Sequence, residues 1–168
     1  MNLFQHNNFP NVTGSRVSLR EILDTDLDEL IEISFYDAVQ AKTVQQAAEM
    51  QVKINQDYRD GNSIHWGIVD NVTGKIVGTC GYYRGLDKGV GELGCVLLSK
   101  YYGQGYMTDG MLLAIDFGLN QMGLKRIWAA TSKQNGPAIK LLERLNFMKI
   151  AETDGDEIEY ELSKAQNN

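Results

Sequence analysis

Glu92 and the glycines that follow it are the residues of this chain whose types and spacing could do chemistry. Glu92 stands in the otherwise apolar stretch 92–98, and a carboxylate in a cleft wall can accept a proton from an amine. Gly103 and Gly105 come next, in the polar segment 100–108. We therefore predict proton transfer beside a bound anion, with a solvated Glu92 paired to a Lys or Arg as the alternative.

The segment 100–108 joins a strand pattern, residues 92–98, to a helix pattern, residues 108–122. The first N–H groups of a helix have no partner inside it and lie at the positive end of its dipole, so they can bind a phosphate or pyrophosphate. A tight turn without a ligand is the alternative. Neither Gly-Lys-Ser/Thr nor a third fingerprint glycine follows, which disfavours Walker-type and dinucleotide loops.

A second segment, residues 135–147, has the sequence signals of a capped helix. Asn135 can cap its start, Pro137 suits its first turn, and Asn146 can adopt the left-handed conformation that ends it. Capping alone accounts for Asn135, so a ligand there is not required.

The remaining patterns predict strands and helices in an order typical of a single α/β (α+β) domain. The predicted strands are 16–22, 63–70, 75–83, 90–98, 125–131, 147–152 and 157–162. The predicted helices are 27–35, 43–58, 108–122 and 135–145. Residues 63–98 should form an antiparallel meander. The strand, loop, helix and strand around Gly103 indicate a right-handed parallel crossover, which makes the sheet mixed.

The composition fits one globular domain, which we place at residues 14–163, with flexible termini at 1–13 and 164–168. A net charge of −6 argues against binding to nucleic acid or to anionic membranes and favours cationic partners. No apolar run is long enough to span a membrane and no signal peptide precedes the domain, so we expect a cytoplasmic protein. Cys80 and Cys95 are expected to be reduced core thiols.

The strand 92–97, the loop 101–108 and the helix 135–147 together resemble the acetyl-CoA-binding core of the GNAT N-acetyltransferase superfamily. Within it, the first two motifs are similar to the ribosomal-protein N-terminal acetyltransferases of the RimJ/RimL type. The resemblance spans about 16–162 by element order and is specific within 92–147. It implies a mostly antiparallel sheet flanked by helices, which splays between its fourth and fifth strands to admit acetyl-CoA.

The resemblance also implies which residues bind acetyl-CoA. The backbone of Val96 and Leu97 would pair with the pantetheine arm, and Asn135 would bond the arm near its reactive end. The pyrophosphate would lie on the loop residues, which are Tyr102, Gly103, Gln104, Gly105, Tyr106, Met107 and Thr108. Gly105 matches the family pattern. Tyr102 and Met107 replace an Arg or Gln and a small residue, which affects side-chain contacts but not backbone ones.

By the same resemblance, the acceptor amine attacks the thioester directly, with Glu92 as the base, acting itself or through a water. Many family members have a tyrosine in the last helix that protonates the leaving thiolate, and Leu142 occupies that position here. Ser132 or a water would then act as the acid, or the thiolate would leave without being protonated by an acid. Neither a metal nor a covalent enzyme intermediate is needed.

The acceptor stays open at this point. The resemblance to the RimJ/RimL branch favours a protein N-terminus as the acceptor, and a polyamine, an aminoglycoside or an amino acid are the alternatives. The protein is expected to be a monomer or homodimer. Residues 35–58 and 83–89 should frame the acceptor pocket. Candidates for its lining are Tyr36, Asp37, Tyr82 and Tyr83, whereas His65 and Trp66 are expected to be structural. The rival functions are a noncatalytic acyl-CoA sensor and a nucleotide-binding regulator.

Overall fold

Ten strands and four α-helices make up residues 8–163, the part of the chain that the computed structural model describes. The strands are β1 (Val12–Thr13), β2 (Val17–Arg20), β3 (Phe35–Tyr36), β4 (Val39–Gln40), β5 (Ile64–Asp70), β6 (Ile76–Tyr82), β7 (Val90–Leu97), β8 (Arg126–Ser132), β9 (Phe147–Glu152) and β10 (Glu157–Leu162). The helices are α1 (Leu27–Leu30), α2 (Val44–Arg59), α3 (Tyr106–Asn120) and α4 (Gly136–Arg144).

Eight of these strands form one sheet in the order β1-β2-β5-β6-β7-β8-β10-β9. All neighbours pair antiparallel except β7 and β8, which pair in parallel across the connection through α3. The predicted α/β fold, with its antiparallel meander and mixed sheet, is confirmed. The parallel pair joins the fourth and fifth strands of the sequence prediction, where the splay was expected.

Helix α3 covers one face of the sheet, which we call the α3 face. Tyr82 is fully buried there, and its hydroxyl donates to Ala114 O at 2.7 Å. The β6–β7 register places Leu93 opposite Tyr82 and Cys95 opposite Cys80, so these side chains share the α3 face. The alternate residues of β7, which include Glu92 and Gly94, point to the other face.

The other face carries α1 and α2 and is called the α2 face. A separate apolar cluster lies there, formed by Ile22, Leu27, Leu30, Ile33, Ala41, Ala47, Ile76 and Leu98. The Thr43 side chain accepts from the Gln46 N–H and so caps α2, which begins and ends within a residue or two of its predicted bounds. The two faces therefore present different helices to the gap between β7 and β8.

The segment after α1 differs from its sequence prediction. The predicted helix 27–35 is reduced to α1 with a 3₁₀ turn on either side, and the chain then forms the β3–β4 hairpin. The Ser34 hydroxyl donates to Leu30 O at 2.7 Å, which caps the end of the helical stretch. Asp37 and Ala38 have positive φ values of 48° and 62°, as the tight turn of a two-residue hairpin requires.

The packed domain begins before residue 14. Val12–Thr13 pairs with β2, and Trp66 Nε1 donates to Pro10 O at 2.8 Å. The predicted flexible residues 1–7 and 164–168 lie outside the described part of the chain. Within residues 8–163, no helix combines the length and apolar character that crossing a membrane requires.

The ion pair between Arg20 and Asp26 ties the start of the α1 segment to β2. Arg20 donates from two nitrogens to the two carboxylate oxygens at 2.7 and 2.9 Å, and the Leu23 N–H donates to the same carboxylate at 2.8 Å. Burial disfavours the ionised form, but these donors outweigh it and hold the pKa of Asp26 below its usual value.

We expect Asp26→Asn to lower the free energy of unfolding at neutral pH, and the difference from wild type to shrink as the medium becomes acidic. A carboxyl with a depressed folded-state pKa contributes stability above its unfolded pKa, and that stability is lost as the pH falls through the folded pKa. Urea unfolding over a pH series measures the difference. The exposed Asp28→Asn is the matched control, and a pH-independent deficit for Asp26→Asn would contradict the prediction.

Candidate active site

The sheet opens along the edge that β7 shares with β8. The two strands pair only at Val90–Arg126, Gly91–Ile127 and Glu92–Trp128. Strand β7 continues to Leu97 and β8 to Ser132, without further pairs between them. The edge of β7 beyond Glu92 is thus available to an extended ligand, which can add to it as a strand would.

A cavity of about 770 Å³ extends through this gap and reaches both faces of the sheet. On the α3 face it is lined by apolar residues of α3 and α4, which include Met107, Met111, Leu141 and Leu142. On the α2 face its lining is more polar and includes Tyr36, Asp37, Asp57, His65, Tyr83 and Arg84. One cavity can therefore hold two molecules that enter from opposite faces and meet between the strands.

The loop before α3 presents backbone amides at one end of the gap. Gly103 and Gly105 have positive φ values of 72° and 84°, and Gly105 caps α3 without any side-chain hydrogen bond. The first bond of the helix is from Asp109 N to Gly105 O at 3.1 Å, so the preceding amides are not used by the helix. A Cβ at Gly103 would meet nothing within 4 Å. This open, positively polarised end suits phosphate groups.

Two polar side chains of the loop have hydrogen-bond partners away from these amides. Tyr106 is buried, and its hydroxyl donates to Asp70 in the core. Gln104 Nε2 donates to Lys100 O at 3.2 Å, while Tyr102 is 62% exposed. Met107 lines the cavity. The polar groups of Tyr106 and Gln104 are thus engaged by other parts of the protein and leave the loop amides uncovered.

Arg16 places a positive charge beside the loop, which sequence reasoning missed. Its guanidinium lies 4.3 Å from the centre of the Tyr106 ring, and Nη1 lies 3.1 Å from Asp109 Oδ2. The same nitrogen is the nearest atom to a Cβ at Gly105. Arg16 comes from the start of the chain, so no local pattern could have linked it to the loop.

Glu92 occupies the point where the β7–β8 pairing ends. Its side chain points to the α2 face and is only 14% exposed. Arg84 Nε lies 2.7 Å from Glu92 Oε2, yet this buried oxygen accepts no hydrogen bond. The cavity lining includes the neighbours Arg84, Leu93 and Gly94 but not Glu92 itself. Glu92 therefore lies beside the cavity, covered by Arg84.

The surroundings of Glu92 raise its affinity for a proton. Burial is the largest influence and raises the pKa of Glu92 above its usual value, and Glu157 and Glu159 on β10 act in the same direction. Arg84 opposes them. A carboxylate that is hard to keep ionised takes up a proton readily, which is the property of a base that must accept one from an ammonium group.

Tyr83 and His65 form a hydrogen-bonded wall of the cavity on the α2 face. The Tyr83 hydroxyl and His65 Nδ1 lie 2.7 Å apart. The Tyr83 ring lies over Gly94, where a Cβ would come within 2.9 Å of its Cε2 atom. Burial lowers the pKa of His65 to about 4, so the ring is neutral at neutral pH.

His65, which was expected to be structural, lies in the cavity wall. Its neighbours Ile64 and Trp66 are fully buried on the α3 face, so strict alternation along the strand puts His65 on the opposite face. Tyr36, Asp37 and Tyr83 line the cavity as expected, whereas Tyr82 does not.

Ser132 is held outside the cavity. Its hydroxyl donates to Asp156 in the turn between β9 and β10 and accepts from the Gln134 N–H at 3.1 Å. Asn135 does line the cavity, while its side chain accepts from the Ala138 N–H at 3.2 Å and caps α4. Of the two, the structure brings only Asn135 to the gap.

The β7 residues beyond Glu92 divide between the cavity and the core. Val96 lines the cavity and is exposed, while Leu97 is buried. Cys80 and Cys95 are both free thiols; Cys80 is buried in the core as predicted, whereas Cys95 is half-buried and lines the cavity. Burial, together with its hydrogen bond to Cys80, raises the pKa of Cys95, so it stays a thiol at neutral pH. Residues 8–163 contain no cluster of three His, Cys, Asp or Glu side chains arranged to bind a metal.

Comparison with known proteins relates this arrangement to acetyltransferases. The family model of the acetyltransferase (GNAT) domain matches residues 16–148. The protein named "Uncharacterized N-acetyltransferase p20" from Bacillus licheniformis is 31% identical over an alignment of 142 residues, and the match covers 80% of this chain and 80% of that protein.

Two solved structures from Vibrio cholerae share the fold. One, whose assignment as a ribosomal-protein-serine acetyltransferase is itself inferred, has a TM-score of 0.77 at 18% identity and covers 90% of this chain and 96% of its own. The other is a dodecameric spermidine N-acetyltransferase with a TM-score of 0.75 at 16% identity, covering 92% and 98%.

The raised pKa of Glu92 generates a prediction about stability. An acid whose folded-state pKa lies above its unfolded pKa destabilises the fold when ionised, and this penalty is present above the folded pKa and absent below the unfolded one. We expect Glu92→Gln to be at least as stable as wild type at neutral pH and to lose that advantage in acid. Thermal unfolding of both proteins at neutral pH and in acid measures this difference in stability. A variant that is clearly less stable at neutral pH would show that ionised Glu92 supports the fold.

Proposed function

The chain belongs to the GNAT acetyltransferase family, and from this we propose that it transfers the acetyl group of acetyl-CoA to a primary amine, both molecules being bound at once. The cavity through the gap carries this proposal, because it joins an apolar slot on the α3 face to a polar chamber on the α2 face. A covalent enzyme intermediate is unnecessary when the donor and acceptor can meet directly.

The α3 face would hold acetyl-CoA. The amides of 103–108 suit its pyrophosphate, with Tyr102 beside them, and the open edge at Val96 and Leu97 suits its pantetheine arm. Asn135, at the start of α4, lines the same slot. Acetyl-CoA supplies the activated acetyl group, and the protein supplies position and charge.

The α2 face would hold the acceptor. Glu92 is the proposed base, directly or through a water, because it lies at the apex of the gap with its ionised form disfavoured. Backbone N–H groups near Val96 would stabilise the negative charge that develops on the acetyl oxygen. Leu142 offers no proton and Ser132 lies outside the cavity, so we assign no side chain as the general acid.

We propose a protein N-terminus as the first acceptor to test and a small cationic amine as the second. The resemblance to the RimJ/RimL branch supports the former. Asp37 and Asp57 in the chamber, together with the net charge of −6, support a cationic group in either acceptor. We keep a monomer or a homodimer as the proposed state of the protein.

Calorimetry and a turnover assay test this function together. We expect acetyl-CoA to bind with a micromolar Kd, about −8 kcal/mol, and ATP and NAD not to bind. Release of CoA thiol is then followed with a peptide that has an N-terminal serine and with spermidine. Binding without turnover of any amine would favour an acyl-CoA sensor, and binding of ATP or NAD alone would favour a nucleotide regulator.

Glu92→Gln separates catalysis from binding. We expect kcat/KM for the acceptor to fall by roughly 10²–10⁴-fold, the usual contribution of a positioned base, while the Kd of acetyl-CoA is unchanged. Glu161→Gln is the matched control, since Glu161 pairs with Arg126 elsewhere on the sheet. An equal kcat/KM for Glu92→Gln and wild type would show that Glu92 is not the base.

Gly103→Ala tests the loop. A Cβ at Gly103 would project into open space from a backbone with φ of 72°, and the left-handed conformation disfavours alanine by about 1–2 kcal/mol. We expect the Kd of acetyl-CoA to rise about tenfold, or 1.4 kcal/mol. Acetyl-pantetheine, which lacks the pyrophosphate, should be turned over as by wild type.

Gly74→Ala is a close control for this variant. Gly74 has φ of 69°, and a Cβ there would also meet nothing within 4 Å, but it lies in the turn between β5 and β6. The two variants should lose similar stability, and only Gly103→Ala should bind acetyl-CoA more weakly. Equal Kd values would contradict a pyrophosphate site at the loop.

A further inference from the structure

The contact between Arg84 and Glu92 is an ion pair without a directed hydrogen bond. Their atoms Nε and Oε2 lie 2.7 Å apart, yet Oε2 is the one buried side-chain oxygen or nitrogen in the described part of the chain that has no hydrogen-bond partner. The pair of Arg20 and Asp26 shows the usual alternative, in which two N–H groups point at two carboxylate oxygens. Glu92 therefore retains an acceptor site that Arg84 covers but does not fill.

The two partners differ in how firmly they are held. The Arg84 side chain is 75% exposed, while that of Glu92 is 14% exposed. Their backbones are joined, since Glu92 N donates to Arg84 O at 3.3 Å and Tyr83 N donates to Glu92 O at 3.1 Å. The guanidinium can thus swing into solvent while Glu92 stays in place. Such a movement is easy, because an ion pair with a mostly exposed partner contributes little stability.

We propose that Arg84 occupies, in the free protein, the position that the acceptor's ammonium group takes during the reaction. This inference rests on the proposed function. The arriving ammonium donates to Glu92 Oε2 and displaces the guanidinium into solvent. A proton then passes from the nitrogen to the carboxylate, which leaves a neutral amine with a free electron pair and a neutral Glu92. Arg84 is a positioning residue, since it acts through Glu92 and does not touch the reacting atoms.

The charges around Glu92 make this exchange measurable by pH. Glu157 and Glu159 approach from β10 and disfavour the ionised form of Glu92, as does burial, and Arg84 favours it. Tyr83, which lines the cavity together with Arg84, is neutral because burial raises its pKa. Removing the guanidinium leaves the carboxylate with burial and two acidic neighbours, so its pKa in the free protein must rise.

Arg84→Gln is the test, with kcat and kcat/KM measured against pH at saturating acetyl-CoA. The kcat/KM profile reports groups of the enzyme before the acceptor binds, and the kcat profile reports the complex with it. We expect the acidic limb of kcat/KM to move to higher pH and that of kcat to stay in place. Arg84→Lys should return the acidic limb of kcat/KM to its wild-type pH. The acceptor is the serine peptide or spermidine, whichever wild type turns over faster.

Two results would overturn the proposal. If both limbs move, Arg84 stays beside Glu92 in the complex, and if neither moves, Arg84 does not act on Glu92. Arg126→Gln removes the same charge from an ion pair with Glu161 on the same sheet and should move neither limb. Any general charge effect would appear in that control.

A measurement on the free protein keeps this test independent of the proposed function. The ¹³C signal of the Glu92 carboxyl carbon, titrated by NMR in wild type and in Arg84→Gln, should move to higher pH in the variant. An unchanged titration would overturn the role of Arg84 whether or not the protein transfers acetyl groups. An absence of turnover by wild type, with the titration shifted, would count against the function alone.

Discussion

The structure depends on one constraint, which is that β7 and β8 run in parallel and stop pairing at Glu92. Parallel strands that follow each other in sequence need a crossover, and α3 is that crossover. The loop that starts α3 must leave the end of β7, where the strands have already parted. The open backbone edge and the amides of the loop are therefore two results of the same connection.

The same parting of the strands places different surroundings on the two faces of the sheet. The α3 face offers apolar side chains of α3 and α4, and the α2 face offers the hydroxyl, imidazole and carboxylate groups of the chamber. Tyr83 fits against the sheet because Gly94 has no side chain. Glu92 lies where these two environments meet, which explains both its burial and its nearness to polar groups.

The sequence predicted the parts of the site that depend on local order. Asn135 as the cap of α4, the glycines before α3 and the parallel crossover all follow from residues that are adjacent in the chain. The β3–β4 hairpin was not predicted, because two-residue strands carry no periodic signal and apolar residues up to Phe35 continued a helical pattern.

Contacts between distant segments were beyond a local prediction. Arg16 lies beside a loop almost ninety residues away, and the hydrogen bond between His65 and Tyr83 joins residues that are eighteen positions apart in the chain. Ser132 was a reasonable candidate acid from its place before α4. Its capture by Asp156 depends on how the β9–β10 turn folds back, which residues near Ser132 do not encode.

Three departures from ordinary folding rules meet in this one part of the molecule. They are an unpaired strand edge in the middle of a sheet, a helix start without a side-chain cap, and a buried carboxylate with an unfilled acceptor site. Each is unfavourable for stability, and each has common structural explanations when it occurs alone. Their coincidence around a single cavity is the arrangement that the proposed site for an anion, an extended arm and an amine would use.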